Sequence, residues 1–248
     1  MRLLIRPDLS GRFRLFYMTV NNNVDEALVC TVIFVNYFLL KCFMKSDSLA
    51  IKQRYDRIAP YFDGLQAIME GFFYRRWRKK LWAKVDGIHI LEVGVGTGKN
   101  FDYYPADAQI TAIDYSSAML KQAEYKKTRK AVAVTLNLMD IQTLCYADNT
   151  FDVVIATFVF GSVASPQKSL KELCRVCRPG GQILFLEQVV SSRPLLAKFM
   201  NLINPIMRVV MAANINRDTI KHVKSCGFSF VNIDADSGVF FKLIEARK

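Results

Sequence analysis

The chain has 248 residues, of which 52% are hydrophobic and 23% are charged, and its formal net charge is +12. This length suffices for one or two domains with an apolar core, and the composition excludes small disulfide-framed folds, wholesale disorder and collagen or coiled-coil rods. The positive charge favours a polyanionic partner, either a nucleic acid or an anionic membrane.

An uncharged apolar run occupies residues 27–40, and several arginines precede it. A membrane span needs about 20 such residues, so the run is short unless Lys41 snorkels and extends it to residue 44. A membrane anchor through residues 27–44, a signal-peptide hydrophobic region, a buried helix and a dispensable extension all stay open. We therefore divide the chain into an N-terminal segment, residues 1–43, and a folded domain, residues 44–248.

The folded domain opens with two helical patterns, over residues 48–58 and 64–85. The first ends near Pro60, because proline disfavours helical geometry in the residue before it. The second contains the basic run Arg75–Lys80 interleaved with aromatic residues. This pattern suits an anionic membrane surface and equally a solvated face with one apolar stripe. No recognisable nucleic-acid-binding module accompanies it, which makes nucleic acid the less favoured partner.

Short apolar, β-rich runs then alternate with helical stretches. Such alternation predicts βαβ units and a parallel sheet, hence an α/β fold. A turn-rich linker separates the last two runs, which predicts a C-terminal antiparallel hairpin. The predicted strands are residues 88–93, 109–114, 131–136, 151–158, 182–189, 228–233 and 239–244, and the predicted helices are 116–126, 165–177, 194–212 and 216–225.

Six cysteines are scattered among apolar residues, a distribution that disfavours a secreted disulfide framework and favours a reducing compartment, the cytoplasm. Cys174 and Cys177 form a C-x-x-C pair, but no second pair or histidine cluster completes a metal site. Both cysteines continue the apolar stripe of Leu170 and Leu173 on the predicted helix, so we assign them to the core and expect no metal.

The strongest site signal is LEVGVGTGKN, residues 91–100, at the end of the first predicted strand of the domain. Its glycines permit a sharp turn and close approach of a ligand to the backbone. Asp114 ends the next strand, where a carboxylate can accept hydrogen bonds from both ribose hydroxyls of a nucleoside. The spacing is G-x-G-x-G rather than G-x-G-x-x-G, and Glu92 would repel a pyrophosphate but hold an amino group. S-adenosylmethionine is therefore favoured over NAD.

The sequence here resembles the class I S-adenosylmethionine-dependent methyltransferases, over about residues 51–248. Five segments carry the resemblance: LEVGVGTGKN (91–100), AIDYSSAML (112–120), MDIQTL (139–144), FDVVIATFVF (151–160) and RVCRPGG (175–181). It is most similar to the branch with quinone methyltransferases, phosphatidylethanolamine N-methyltransferases and methyltransferase-like thiol enzymes. The resemblance implies a Rossmann-like, doubly wound, mostly parallel seven-stranded sheet, and S-adenosylmethionine without a metal.

The resemblance also implies roles for individual residues. Three glycines and an acid line the methionine end of the cofactor, Asp114 holds the ribose, and the residues after the second and third strands surround the adenine. Thr157 and Phe158 lie beneath the cofactor near the transferred methyl. The implied cofactor residues are Glu92, Gly94, Gly96, Gly98, Asp114, Tyr115, Met119, Met139, Asp140, Ile141, Thr157 and Phe158.

On the acceptor side, the resemblance implies that Tyr55 and Tyr61 line the pocket, and Arg217 is a candidate for pairing with an acidic group. Methyl transfer from a sulfonium needs alignment and exclusion of water more than a strong base, so we assign no catalytic residue. A small or lipid-like acceptor is expected, first a phosphatidylethanolamine-type amine, then a quinone precursor or a thiol. The alternatives are a catalytically silent S-adenosylmethionine-binding subunit and, third, an NAD-dependent oxidoreductase.

Overall fold

The computed structural model describes residues 3–7, 13–17, 48–188, 198, 202, 219–224, 226–234 and 241–248. The chain divides into two compact units, Met1–Lys45 and Ser46–Lys248. In the first unit, strands β1 (Leu3–Pro7) and β2 (Phe13–Tyr17) pair antiparallel. The proposed anchor at 27–44 and the predicted helix at 194–212 lie outside the described residues, apart from positions 198 and 202, so the roles assigned to these segments stay predictions.

The second unit is built on a seven-stranded sheet with the order β5-β4-β3-β6-β7-β9-β8. Strands β3 to β7 run parallel, whereas β9 pairs antiparallel with both β7 and β8. The fold is therefore the expected Rossmann-like α/β sheet with a C-terminal antiparallel hairpin. The strands are β3 (His89–Val93), β4 (Gln109–Asp114), β5 (Thr135–Leu138), β6 (Phe151–Thr157), β7 (Cys177–Gln188), β8 (Phe230–Ile233) and β9 (Phe241–Arg247).

Helices cover both faces of the sheet, and two of them begin at caps visible in the sequence. The hydroxyl of Ser116 accepts from the backbone N–H of Met119, and Ser165 accepts from Lys168, so each satisfies an N–H that has no partner inside the helix. The helices are α1 (Ser48–Ile58), α2 (Phe62–Met69), α3 (Arg75–Trp82), α4 (Ser117–Lys130), α5 (Pro166–Val176) and α6 (Thr219–Lys224).

The core has two layers because successive side chains of a strand point to opposite faces of the sheet. In β3, Leu91 joins the cluster that contains Leu170 of α5, whereas Ile90 joins the cluster that contains Leu81 of α3 and Ala123 of α4. By the same alternation Glu92 lies on the Ile90 side of the sheet, the side that α3 covers.

Several predicted boundaries differ from the structure. The strand expected over 131–136 is β5, Thr135–Leu138, because Ala131, with φ +51°, caps the end of helix α4. The helix expected over 64–85 is three segments, because a π-helical turn, Glu70–Tyr74, separates α2 from α3. The helix expected to include Cys177 ends at Val176, since Cys177 is extended and pairs with Phe151 as the first residue of β7. The register shift that follows absorbs the Pro-Gly-Gly sequence inside the strand, where Gly180 has φ +72°.

No helix in the described part of the chain is long and apolar enough to cross a membrane. The cysteines at 145, 174, 177 and 226 are free, and Cys177 is buried in the core, as its apolar setting predicts. Among the described residues no group of three or more histidine, cysteine and acidic side chains could hold a metal ion.

Candidate active site

A cavity of about 210 Å³ lies at the carboxyl ends of β3, β4, β6 and β7. The strand order reverses at β3, because β4 lies on one side of it and β6 on the other. In open α/β sheets, ligands bind in the crevice that such a reversal creates. The position of the cavity therefore follows from the topology alone.

The glycine loop leaves β3 with backbone angles that require glycine. Gly94 has φ +67° and Gly98 has φ +76°, in the left-handed region. A Cβ on Gly94 would stand 2.5 Å from Val159, and one on Gly98 would stand 2.5 Å from the Phe101 ring. Gly96 also has positive φ, but a Cβ there would meet nothing within 4 Å. The loop thus presents bare backbone to the cavity at Gly96.

Glu92 is a buried carboxylate at the start of this loop, with 1% of its surface exposed. Its Oε1 accepts from Nδ2 of Asn100 at 2.6 Å, and its Oε2 accepts from the phenol of Tyr104. Burial raises the pKa of Glu92, and these hydrogen bonds oppose the rise. Burial, followed by the charge of Glu92, raises the pKa of Tyr104 well above its ordinary value, so Tyr104 remains a donor.

Asp114 closes the second side of the cavity from the end of β4. Its Oδ2 accepts from the backbone N–H of Gly96 and its Oδ1 from that of Ser116, both at 2.8 Å. Burial raises the pKa of Asp114, whereas these N–H groups lower it. An ionised carboxylate accepts about four hydrogen bonds, so Asp114 keeps acceptor capacity for a hydroxyl of a ligand.

A third acid, Asp140, follows β5. Its Oδ1 accepts from the backbone N–H of Gln142 at 2.9 Å, and the Gln142 amide also donates to the hydroxyl of Ser48 at 2.6 Å. This contact joins the start of α1 to the wall of the cavity. The surrounding apolar side chains that line this side are Met119, Met139 and Ile141.

Helices α1 and α2 cover the cavity through two acids. Asp56 accepts from the hydroxyl of Ser116 at 2.6 Å, at the start of α4. Asp63 accepts from the hydroxyl of Thr97 at 2.6 Å and pairs with Lys99 at 3.2 Å, both in the glycine loop. These contacts hold α1 to the start of α4 and α2 to the glycine loop.

Aromatic side chains enclose the other end of the cavity. Phe158 has φ +58°, which is uncommon for a residue with a side chain, and its ring stacks against Tyr74 with centroids 4.5 Å apart. The carboxylate of Glu187 accepts from the backbone N–H groups of Val159 and Phe160 at 2.8 and 3.0 Å and so fixes this turn. Burial raises the pKa of Tyr55, which also lines the cavity, to about 12.

Three comparisons with known proteins address what this arrangement does. A family model described as a methyltransferase domain matches residues 91–185. The chain is 32% identical over 150 residues to phosphatidylethanolamine N-methyltransferase of Cereibacter sphaeroides, covering 60% of this chain and 72% of that protein. The chain belongs to the S-adenosylmethionine-dependent methyltransferases. This finding confirms the family, the cofactor and the enzyme class expected from the motifs.

Other relatives of this methyltransferase act on different acceptors. It is 33% identical to ubiquinone/menaquinone biosynthesis C-methyltransferase of Bdellovibrio bacteriovorus, over 55% of this chain and 61% of that protein. It is 29% identical to a thiol S-methyltransferase of Rattus norvegicus, over 70% of this chain and 78% of that protein. Because these names differ in the acceptor, they leave the acceptor of this methyltransferase open.

Solved structures support the fold. A methyltransferase from Thermotoga maritima matches with a TM-score of 0.61 and 16% identity, over 79% of this chain and 99% of that one. A Haemonchus contortus phosphoethanolamine-type N-methyltransferase, solved with phosphomonomethylethanolamine and S-adenosylhomocysteine, matches with a TM-score of 0.57 and 16% identity, over 72% of this chain and 53% of that one.

Most of the residues predicted for the site line the cavity of the methyltransferase. Gly98 is in the loop but not in the cavity wall, and its role is to admit the Phe101 ring. Tyr61 does not match its expected place, because it is 71% exposed and absent from the wall. Arg217 lies outside the described residues. The predicted residues that do line the cavity are Glu92, Gly94, Gly96, Asp114, Tyr115, Met119, Met139, Asp140, Ile141, Thr157, Phe158 and Tyr55.

Among the residues of the cavity wall that sequence reasoning missed are Tyr74, Arg78, Asn100 and Glu187. Asn100 was visible as the polar residue that ends the glycine motif. Glu187 was visible as an acid inside an otherwise apolar strand run. Arg78 was missed because it belongs to a basic run, and such a run predicts exposed side chains.

Proposed function

We propose that the cavity binds S-adenosylmethionine with its methionine end at Glu92 and the bare backbone of the glycine loop, its ribose at Asp114 and its adenine beside Asp140. The acceptor capacity that Asp114 keeps suits the hydroxyls of a ribose. The apolar wall formed by Met119, Met139 and Ile141 matches a heteroaromatic ring. Bound in this way, the cofactor supplies an electrophilic methyl with its leaving group already attached.

We further propose that the acceptor is an amine carried by a lipid, of the phosphatidylethanolamine type. The observation that carries this proposal is the chemistry of the cavity wall. Four acids, Glu92, Asp114, Asp140 and Glu187, line it with two cations, and these two are paired to acids: Arg78 with Glu70 and Lys99 with Asp63. Three of these acids are assigned to the cofactor above, and the negative charge that they and Glu187 place around the cavity favours an acceptor that is or becomes cationic.

The aromatic side chains that line the cavity also favour an amine acceptor. N-methylation of a neutral amine leaves an ammonium ion, and an aromatic ring that lines the cavity, such as Tyr55, attracts a cation by about 0.5–2 kcal/mol where its face is free. Each acceptor gives up a proton, but a thiol or a quinol attacks as an anion, which nearby carboxylates repel, whereas an amine attacks as a neutral group. No histidine or cysteine lines the cavity among the described residues, which leaves few groups to assist that ionisation.

A lipid acceptor requires contact with a membrane, and we propose that helix α3 provides it. This helix presents fewer basic side chains to solvent than its sequence indicates, since Arg78 is buried and Lys80 pairs with Asp234 at 3.0 Å. Arg75, Arg76 and Lys79 are exposed. Each basic residue near an anionic lipid surface contributes about 1 kcal/mol of attraction.

The test offers the full chain methyl-labelled S-adenosylmethionine and three acceptors: phosphatidylethanolamine in vesicles that contain phosphatidylglycerol, a demethylated quinol, and a small alkyl thiol. We expect label in the phospholipid. Label confined to the thiol or the quinol would contradict the amine proposal and identify the acceptor class directly.

The proposed membrane contact of helix α3 is tested in the same assay with a variant in which Arg75, Arg76 and Lys79 are all changed to glutamine. From the loss of three basic contacts we expect transfer to vesicle lipid to fall by about tenfold or more. Transfer to a dispersed short-chain phosphatidylethanolamine should stay unchanged. An equal fall with both substrates would show that the substitutions damage the enzyme rather than its docking.

A further inference from the structure

Arg78 differs from the other basic residues of its helix. It is 5% exposed, whereas Arg75 and Arg76 are exposed. Its Nε donates to Oε1 of Glu70 at 2.9 Å and its Nη2 to Oε2 of the same residue at 3.3 Å. Its Nη1 donates to Oδ1 of Asn100 at 2.8 Å. The guanidinium therefore spans from the π-helical turn to the end of the glycine loop.

The contact with Asn100 decides which way the Asn100 amide faces. Arginine has donors only, so the carbonyl oxygen of Asn100 must point towards Arg78 and the NH₂ group must point away. That NH₂ group donates to Oε1 of Glu92 at 2.6 Å and to the hydroxyl of Thr157 at 3.1 Å. Both of its hydrogens and its oxygen are thus used, and the amide has one satisfied orientation.

The opposite orientation would be costly for Glu92. A reversed amide would place its carbonyl oxygen against the Glu92 carboxylate, where two acceptors repel each other and a buried charge loses a donor. Hydrogen bonds to charged groups contribute more than those between neutral groups, and leaving a buried charged partner unsatisfied costs more still. Arg78 removes this alternative, because a guanidinium offers hydrogen-bond donors only.

We propose that Arg78 is a positioning residue for the methionine end of the cofactor, acting through the amide of Asn100 on the carboxylate of Glu92. This inference uses the cofactor of the family and is independent of which acceptor is methylated. The guanidinium also lies 5.5 Å from the centre of the Phe158 ring. Arg78 therefore touches both the group that holds the methionine end and the aromatic side chain beside it.

The test compares two ligands that share the adenosine part. S-adenosylhomocysteine carries the amino-acid end, and 5′-methylthioadenosine lacks it. By isothermal titration with the full chain, we expect Arg78→Met to weaken the binding of S-adenosylhomocysteine by about tenfold or more. This is the factor that the loss of a charge-assisted hydrogen bond predicts. Binding of 5′-methylthioadenosine should change by less than about twofold. Equal losses for both ligands would mean a merely structural role and overturn the proposal.

A second variant covers the case in which Arg78→Met fails to fold because Glu70 is left unpaired. Asn100→Asp keeps the shape and an acceptor for Arg78 but turns an oxygen towards Glu92, so we expect the same selective loss of S-adenosylhomocysteine. Arg129→Met, at an exposed position on α4, is the matched control and should bind both ligands normally. Unchanged S-adenosylhomocysteine binding in Asn100→Asp would overturn the proposal.

Discussion

Replacing Asp114 with asparagine is expected to weaken S-adenosylhomocysteine binding by about a hundredfold or more. Two ribose hydroxyls lose a charged acceptor, and each such hydrogen bond contributes about 1.5–3 kcal/mol. The new NH₂ group must also face the backbone N–H of Gly96 or of Ser116, both donors. Isothermal titration measures the loss, and Asp107→Asn, at an exposed position in the turn before β4, is the control. Affinity within about threefold of the unchanged chain would contradict the ribose assignment.

The same carboxylates predict opposite effects of pH on stability and on binding. Burial raises the pKa of Asp114 and of Glu92 in the folded chain. Stability that comes from their protonated forms is therefore present at low pH and is lost as the pH rises through the raised pKa values. Cofactor binding needs the ionised forms and strengthens over that range. The rise in melting temperature that S-adenosylhomocysteine produces should therefore grow as the pH increases over this range, and a rise that does not depend on pH would contradict the assignment.

Gly98→Ala is expected to lower the free energy of unfolding by about 2–5 kcal/mol. An alanine at φ +76° costs about 1–2 kcal/mol, and its Cβ would stand 2.5 Å from the Phe101 ring, an overlap that costs about 1–3 kcal/mol more. Phe101 is 5% exposed and packs in the core, so the ring has little room to move. Urea unfolding measures the change.

Gly64→Ala is the matched control for this substitution. Gly64 is exposed in helix α2, and a Cβ there would meet nothing within 4 Å. Alanine favours an exposed helix over glycine by about 1 kcal/mol, so this variant should be slightly more stable than the unchanged chain. If Gly98→Ala proved as stable as Gly64→Ala, the glycine loop would not have the rigid packing described above.

The parts of the fold that local chemistry determines could be predicted from the sequence. The strand that ends at Asp114 has its predicted bounds. Ser116 and Ser165 cap helices because their own backbone is extended, which lets each hydroxyl accept an N–H of the first helical turn. Cys177 was misplaced because Pro-Gly-Gly normally ends a helix in a loop. Here the pairing of Cys177 with Phe151 makes these residues an irregular part of β7 instead.

The cofactor side of the site was more predictable than the acceptor side, because local sequence determines its structure. Glu92, Gly96 and Asp114 are held by strands and turns within their own motifs. Tyr61 and Tyr55 look equivalent in sequence, but only the packing of residues 48–61 against α4 decides that Tyr55 faces the cavity and Tyr61 faces solvent. Arg78 is buried by contacts with residues 8 and 22 positions away, which no local pattern reports.

The central claim is that this cavity binds the adenosyl cofactor of the methyltransferases through Glu92 and Asp114. The most direct measurement is isothermal titration of the full chain with S-adenosylhomocysteine and, separately, with NAD. We predict saturable binding of S-adenosylhomocysteine at one site and no binding of NAD. Saturable binding of NAD, or a folded chain that binds no S-adenosylhomocysteine, would contradict the account.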